Sequence, residues 1–255
     1  MAVSKVPAAE NTLRILRYMA SRRGPVTATA IAAALELPRS SVYHLLTVMQ
    51  ENGFVLHLPQ ERVYGLGIAA FELSSAYSRQ EPLARLGRPL LAGLVDRVGE
   101  SAHLAVLHGR DVLYLVEERA KNRPSLVTDV GVRLPAHLTA SGRAILAALP
   151  ASQLRAIFPD KSAFIVRQPD PAITGYTQLK HHLGQVRQRG YATEEGDVTA
   201  GFASLAVAAL DHVGWPAAAV AVTFLSHRMG AEHREALLAE LRSVAVEVSH
   251  RIYGT

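Results

Sequence analysis

Two clusters in this chain have residue types and spacings that could do chemistry. The first is the run Ala136-His137-Leu138-Thr139-Ala140-Ser141-Gly142-Arg143, with a histidine four residues before a serine. Such a pair suggests acyl transfer, but a nucleophile elbow needs glycine two residues to either side of the serine. Thr139 and Arg143 stand there instead. The same run has another use. A helix predicted over Ser141–Leu149 opens on it, and the free backbone amides of a helix N-terminus are a natural anchor for a carboxylate. Ser141 could equally be only the helix N-cap. The second cluster is Glu194, Glu195 and Asp197, with no histidine partner in sequence. His181 and His182 are adjacent on a predicted helix and face different ways, so neither group has the spacing of metal ligands. No phosphate-binding glycine loop occurs. The absence of cysteine from the 255 residues excludes disulfides, thiolate metal sites and cysteine nucleophiles. No catalytic residue, metal or cofactor is expected.

A third set of residues could bind rather than react. Arg39, Ser40, Ser41, Tyr43, His44 and Thr47 share the outer face of a predicted helix. Its other face carries Val42, Leu45, Leu46 and Met49, spaced i, i+3, i+4 and i+7. Arg39 and the two serines fall at the helix N-terminus, where amides and dipole favour phosphate. Tyr43, His44 and Thr47 are placed to meet base edges or phosphates. Thr27, capping the preceding helix, and Arg62, on a later turn, are further candidates for the DNA backbone.

The elements that must position these groups follow from pattern. Helices are predicted over Asn11–Arg22 and Ala28–Leu35, then from Arg39 or Ser40 to Asn52, where Gly53 supplies a left-handed cap. Short strands Phe54–Leu58 and Val63–Leu66 flank the turn cluster Pro59-Gln60-Glu61-Arg62. Three helices and a two-stranded wing in this order form a winged helix-turn-helix, with the third helix in the major groove. Arg14, Arg17, Arg22 and Arg23 either touch phosphate or solvate the first helix. The net charge of +5 and the pI near 9.7 suit a polyanionic partner without carrying the argument.

A helical stretch Ile68–Arg79 leads away, with a domain boundary near residue 80. Beyond it, helices are predicted over Leu83–Val98, Ser141–Leu149, Gln178–Arg189 and Ala231–Tyr253. Strands Ala102–Leu107 and Val112–Glu118 form one hairpin, and Ser204–Leu210 and Ala217–Leu225 another, with a further strand at Leu126–Val130. The fold class is α+β with a mixed sheet. A sensing domain of this kind needs a largely apolar concavity with a few placed polar groups. His103 and His137 are candidates to line it, although a lone histidine on a strand or turn is more often structural. No signal peptide and no apolar run of 18 residues occurs, so a cytosolic protein is expected.

The segment Thr29–Ala32 through Leu35-Glu36-Leu37-Pro38-Arg39-Ser40-Ser41-Val42-Tyr43-His44-Leu45-Leu46 resembles the helix-turn-helix of the IclR family of bacterial transcriptional regulators. So do Glu51-Asn52-Gly53-Phe54-Val55 and Tyr64-Gly65-Leu66-Gly67. Gly131–Ala144, Gly190-Tyr191, Glu194–Asp197 and Gly201–Ala206 resemble the family's effector-domain blocks, in the same order. The resemblance implies an N-terminal winged helix-turn-helix, a linker helix and a GAF-like mixed α/β effector-binding domain, at residues 1–67, 68–80 and 81–255. It implies dimers or dimers of dimers. It also places the amides of Ala140 and Ser141 on an effector carboxylate, with Glu194, Ser204, Ala221 and Thr223 at other polar positions and Phe202 at an apolar one. The chain departs from the family pattern at five places. His44 stands for an arginine, Gly65 for a polar or basic residue, Arg143 for a lysine, Ala221 for a hydroxyl residue and Glu194 for a shorter aspartate.

The expected protein is therefore a ligand-responsive regulator, a repressor of a catabolic operon, bound to a pseudo-palindromic operator in double-stranded DNA. Its expected effector is a small organic or aromatic acid, larger than or different from a 2-oxo acid. The other class left open is an interaction module with a small-molecule sensor and no DNA binding. Salt dependence separates the two, because phosphate contacts weaken steeply with salt.

Overall fold

Pro7 sits at the first turn of α1 (Pro7–Ala20), where its fixed φ and missing amide favour helix initiation. The helix accordingly begins one turn before the expected Asn11. α2 (Ala28–Leu35) is capped by Thr27, whose hydroxyl accepts from the Ala30 amide at 3.1 Å. It ends at Glu36, left-handed at φ 57°. α3 (Arg39–Glu51) follows directly. β1 (Val55–Leu58) pairs antiparallel with β2 (Val63–Leu66), Val55 opposite Leu66 and Leu58 opposite Val63. Val26 adds a one-residue bridge to Tyr64, with amide-to-carbonyl distances of 2.9 and 2.8 Å. Ile15, Ile31, Val42, Leu46, Met49 and Val55 are buried together and hold the three helices to the hairpin. Residues 68–73 are helical and are α4.

In this computed structural model the described residues are 5–22, 24–73, 82–121, 123, 124, 126, 128–167 and 172–253. The remainder of the expected linker helix, residues 74–80, lies outside them, as does Arg23. The chain divides into two units, Met1–Gln80 and Glu81–Thr255. No described helix is long and apolar enough to cross a membrane.

The second unit is built on one sheet. β3 (Ser101–His108) and β4 (Asp111–Glu118) form the first expected hairpin, turning at Gly109 with φ +65°. β7 (Phe202–Leu210) and β8 (Pro216–Leu225) form the second. β5 (Arg133–Pro135) and β6 (Ala192–Glu195) are the edges of the order β5-β4-β3-β8-β7-β6. Every described pairing is antiparallel, so the expected mixed sheet is corrected. The expected strand at Leu126–Val130 is also corrected. Residues 126 and 128–130 are irregular. Pairing with β4 begins only where Gly131 donates to the Tyr114 carbonyl at 2.9 Å, because Thr128 is turned onto His103 instead.

α5 (Pro82–Val98) and α9 (Ala231–Tyr253) pack on one sheet face, against Leu104, Leu205, Val220, Val222 and Phe224. α6 (Ala140–Ala148), α7 (Ala151–Ile157) and α8 (Tyr176–Arg189) belong to the core of the other face. That face is built largely of alanine: Ala192, Ala206, Ala219 and Ala221. Small side chains let α6 approach the strands closely. α6 also lies close against the turn after β5, where a Cβ on Gly142 would lie 2.1 Å from the Ala136 carbonyl oxygen.

Candidate functional site

α3 presents the polar face that its sequence suggests. Arg39, Ser40, Tyr43, His44 and Thr47 are exposed and Ser41 is half-buried, while Val42, Leu46 and Met49 are buried behind them. The Thr47 hydroxyl donates back to the Tyr43 carbonyl at 3.0 Å, which leaves its lone pairs outward. Thr27 is exposed at the start of α2 with its oxygen engaged by Ala30, so its proton is free to donate. Arg62 sits at the hairpin tip in the left-handed region, φ 54°. The Tyr64 ring stacks on His57 at 4.5 Å. Burial, and then Tyr43, raise the Tyr64 phenol. Arg14 donates to Asn11 at 3.1 Å and to the Leu35 carbonyl at 2.9 Å, closing the end of α2.

In the second unit all seven candidate effector residues line one cavity of about 30 Å³. The strand register explains why. Glu194 lies opposite Ser204, Ser204 opposite Thr223, and Thr223 opposite Ser101, so one polar row crosses four strands. One step along the same face, the row is Ala192, Ala206, Ala221 and His103. Side chains in neighbouring even-spaced rows share a face, and this face looks toward the start of α6.

At that start Thr139 is the N-cap, its hydroxyl accepting from the Gly142 amide at 2.9 Å. Ser141 is therefore not the cap. It sits in the first turn, and the amides of Ala140 and Ser141 have no acceptor within the helix. Arg143, only 5% exposed, holds this turn in place. Its guanidinium donates to the His137 carbonyl at 2.8 Å, the Thr193 carbonyl at 2.8 Å and the Asp197 carboxylate at 2.6 Å. Three acceptors in three directions suit a planar fork and not a single ammonium.

Glu194 is 4% exposed. Its carboxyl accepts from the Val198 amide at 3.1 Å and the Ser204 hydroxyl at 3.2 Å. Burial pushes it above the ordinary carboxylate range, Asp197 adds to the rise, and these hydrogen bonds and Arg143 oppose it. His103 lines the cavity and is held to about 4 by burial, with Arg119 adding to the depression. Its Nε2 lies 2.7 Å from the Thr128 hydroxyl. His137 is outside the cavity. Its Nε2 meets the Ile165 carbonyl at 3.1 Å, and the ring packs against Phe158 and Phe164.

These elements are a winged helix-turn-helix and a small-molecule cavity on one chain. The description "IclR helix-turn-helix domain" matches residues 8–59, and "Bacterial transcriptional regulator IclR C-terminal" matches residues 75–250. The chain belongs to the IclR family. It is 27% identical over 222 residues to the HTH-type transcriptional repressor AllR of Klebsiella pneumoniae, covering 87% of this chain and 81% of that one. A solved regulator from Alicyclobacillus acidocaldarius superposes with a TM-score of 0.85 at 23% identity, covering 97% of this chain and 99% of that one. An IclR homolog from Microbacterium hydrocarbonoxydans, solved in complex with 4-hydroxybenzoate, superposes at 0.81 with 22% identity, covering 97% of this chain and all of that one. IclR-family proteins are DNA-binding regulators and not enzymes.

In this IclR chain the cavity also takes in residues that sequence reasoning missed. Tyr114, Leu126, Thr128, Thr139, Val198 and Thr199 line it as well. Tyr114 had a legible signal, an aromatic with a polar tip two residues after the inward Val112. Burial raises its phenol, with Ser141 and Thr139 opposing, so it stays a neutral hydrogen-bonding group. Thr128 and Thr199 lie in irregular segments, where no periodicity marks an inward position.

Proposed function

We propose that this chain is a ligand-responsive repressor of a catabolic operon, acting in the cytosol as a homodimer or dimer of dimers. On this reading residues 1–67 bind a pseudo-palindromic operator, 68–80 form a linker helix, and 81–255 bind a small organic or aromatic acid. The observation that carries the reading is the cavity at the α6 N-terminus. The amides of Ala140 and Ser141 supply donors for a carboxylate, and Leu126, Val198, Phe202 and Ala221 give the cavity an apolar wall. That a homolog of the same fold is solved with 4-hydroxybenzoate supports an aromatic acid. Arg39, Ser40, Ser41, Tyr43, His44, Thr47, Thr27 and Arg62 are assigned to the operator.

The test begins with a duplex selected by the full-length protein from random sequence. Its affinity should fall linearly on a log–log plot against salt. Arg39→Ala should lower affinity about ten-fold. Affinity that stays flat with salt, or failure to select any duplex, overturns the DNA reading. A thermal-shift screen of aromatic and short-chain acids then tests the cavity, since a ligand of the folded form raises its stability.

A further inference from the structure

We propose that the cavity selects acids bearing a hydrogen-bond donor, a hydroxyl or amine, at the end remote from the carboxylate, and that a proton on Glu194 reverses this choice toward dicarboxylates. The inference rests on the reading that this cavity holds the effector. The cavity wall has two opposite characters. At the start of α6 the amides of Ala140 and Ser141 can only donate. On the sheet, the Ser204 hydroxyl bonds Glu194 Oε2 at 3.2 Å and lies 2.9 Å from the Thr223 hydroxyl, while Glu194 Oε1 takes the Val198 amide.

Each hydroxyl has one proton, and an ionised carboxylate only accepts. With Glu194 ionised, the proton of Ser204 is committed to Glu194. Thr223 must then donate to Ser204. Both protons point away from the cavity, and the row offers it lone pairs alone. A hydroxyl or amine on the ligand finds an acceptor there. A second carboxylate finds acceptors and a buried like charge. With Glu194 protonated the row turns round: the carboxyl donates to Ser204, Ser204 to Thr223, and the proton of Thr223 faces the ligand.

Among the described residues, no lysine or arginine lines the cavity to neutralise a second ligand charge. The charged groups acting on Glu194 are Asp197, in the loop after β6, and Arg143 of α6, which pair with each other at 2.6 Å. Tyr114 of β4 and His103 of β3 share the cavity and are held neutral by burial. Burial already favours the protonated form of Glu194, so the reversal needs no other titrating group.

Three benzoates that differ only at the far end provide the probes: 4-hydroxybenzoate, benzoate and terephthalate. Titration calorimetry on the full-length protein at about pH 8 should find 4-hydroxybenzoate at least about ten-fold tighter than terephthalate. The ratio should narrow by about pH 6. Terephthalate, and not 4-hydroxybenzoate, should take up close to one proton, read from heats in two buffers of different ionisation enthalpy. Glu194→Gln should lock the reversed row, its amide oxygen on Val198 and its NH₂ donating to Ser204, so that terephthalate becomes the preferred ligand at both pH values. Thr223→Val should abolish the discrimination. If the benzoates bind wild type without preference, or if the preference survives in Glu194→Gln, the proposal is overturned while the cavity reading stands. If none of the three binds, or if all bind Ala221→Phe as well as wild type, the cavity reading falls and the proposal with it.

Discussion

His103 and Glu194 face one cavity and titrate in opposite senses. Burial holds His103 to about 4, below the ordinary value near 6.5 that it has when unfolded. Between those values the unfolded chain binds a proton that the folded chain does not, so the stability from neutral His103 is full above about pH 6.5 and lost as pH falls toward 4. Glu194 is raised by burial, so its contribution is present at low pH and lost as pH rises through the raised value. His103→Gln keeps a polar group beside Thr128 and removes one titration. The stability difference between wild type and this variant should shift by about 3 kcal/mol between pH 7 and pH 4, following the pKa difference. Urea melts at several pH values measure it. A difference constant with pH would mean that His103 is not buried as a neutral ring. Glu117 lies opposite His103 on β4. Its Oε1 lies 4.0 Å from the ring nitrogen and has no hydrogen-bond partner among the described residues, while its other oxygen pairs with Arg119 at 3.0 Å.

Among the elements, the start of α6 is the most tightly specified. A Cβ on Gly142 would sit 2.1 Å from the Ala136 carbonyl oxygen and 2.4 Å from its Cα. Both are backbone atoms, so no rotamer change relieves the clash. Gly142→Ala should destabilise the second unit by at least the 1–3 kcal/mol typical of overpacking, as a fall in its thermal midpoint. Gly184, inside α8, has nothing within 4 Å of such a Cβ. Gly184→Ala should instead stabilise by about 0.5–1 kcal/mol through helix propensity. Equal effects at the two sites would contradict the packing described for α6. How much of the fold could be read in advance follows the same line. Amphipathic helices such as α3 and α9, and the hairpins β3–β4 and β7–β8, announce themselves by periodicity and turn glycines. β6 does not, because its Thr-Glu-Glu run turns a carboxyl inward where a strand pattern expects an apolar residue. β5 has three residues and ends on Pro135, and α7 has seven, too few for a period to register. The pairing of β3 with β8, which brings His103 beside Ala221, joins residues over a hundred positions apart. Residue patterning carries no signal for it. The cavity residues were legible mainly through resemblance to a family, and Thr128 and Thr199, in irregular segments, through nothing at all.

For the molecule as a whole, the question is how a ligand in one unit changes DNA affinity in the other. Each unit has its own hydrophobic core. A ligand confined to the second unit stabilises that unit in proportion to the logarithm of one plus its concentration over Kd, and this alone does nothing to the first. Repression that responds to ligand therefore requires a coupling free energy, ordinarily about 1–3 kcal/mol or 5- to 150-fold in affinity. The expected linker, residues 68–80, has no glycine and three serines in its thirteen residues, unlike a flexible Gly/Ser linker. If it transmits orientation, several Gly/Ser residues inserted after Arg79 should leave the affinity for a ligand found by the thermal-shift screen, and that for the selected duplex, each near wild type when measured separately. The factor by which either changes the other should fall to about one. Coupling is reciprocal, so the loss must appear both in duplex titrations with saturating ligand and in ligand titrations with saturating duplex. A ligand response that survives the insertion in full would show that the coupling does not run through the linker, and would turn attention to contacts between subunits of the proposed dimer.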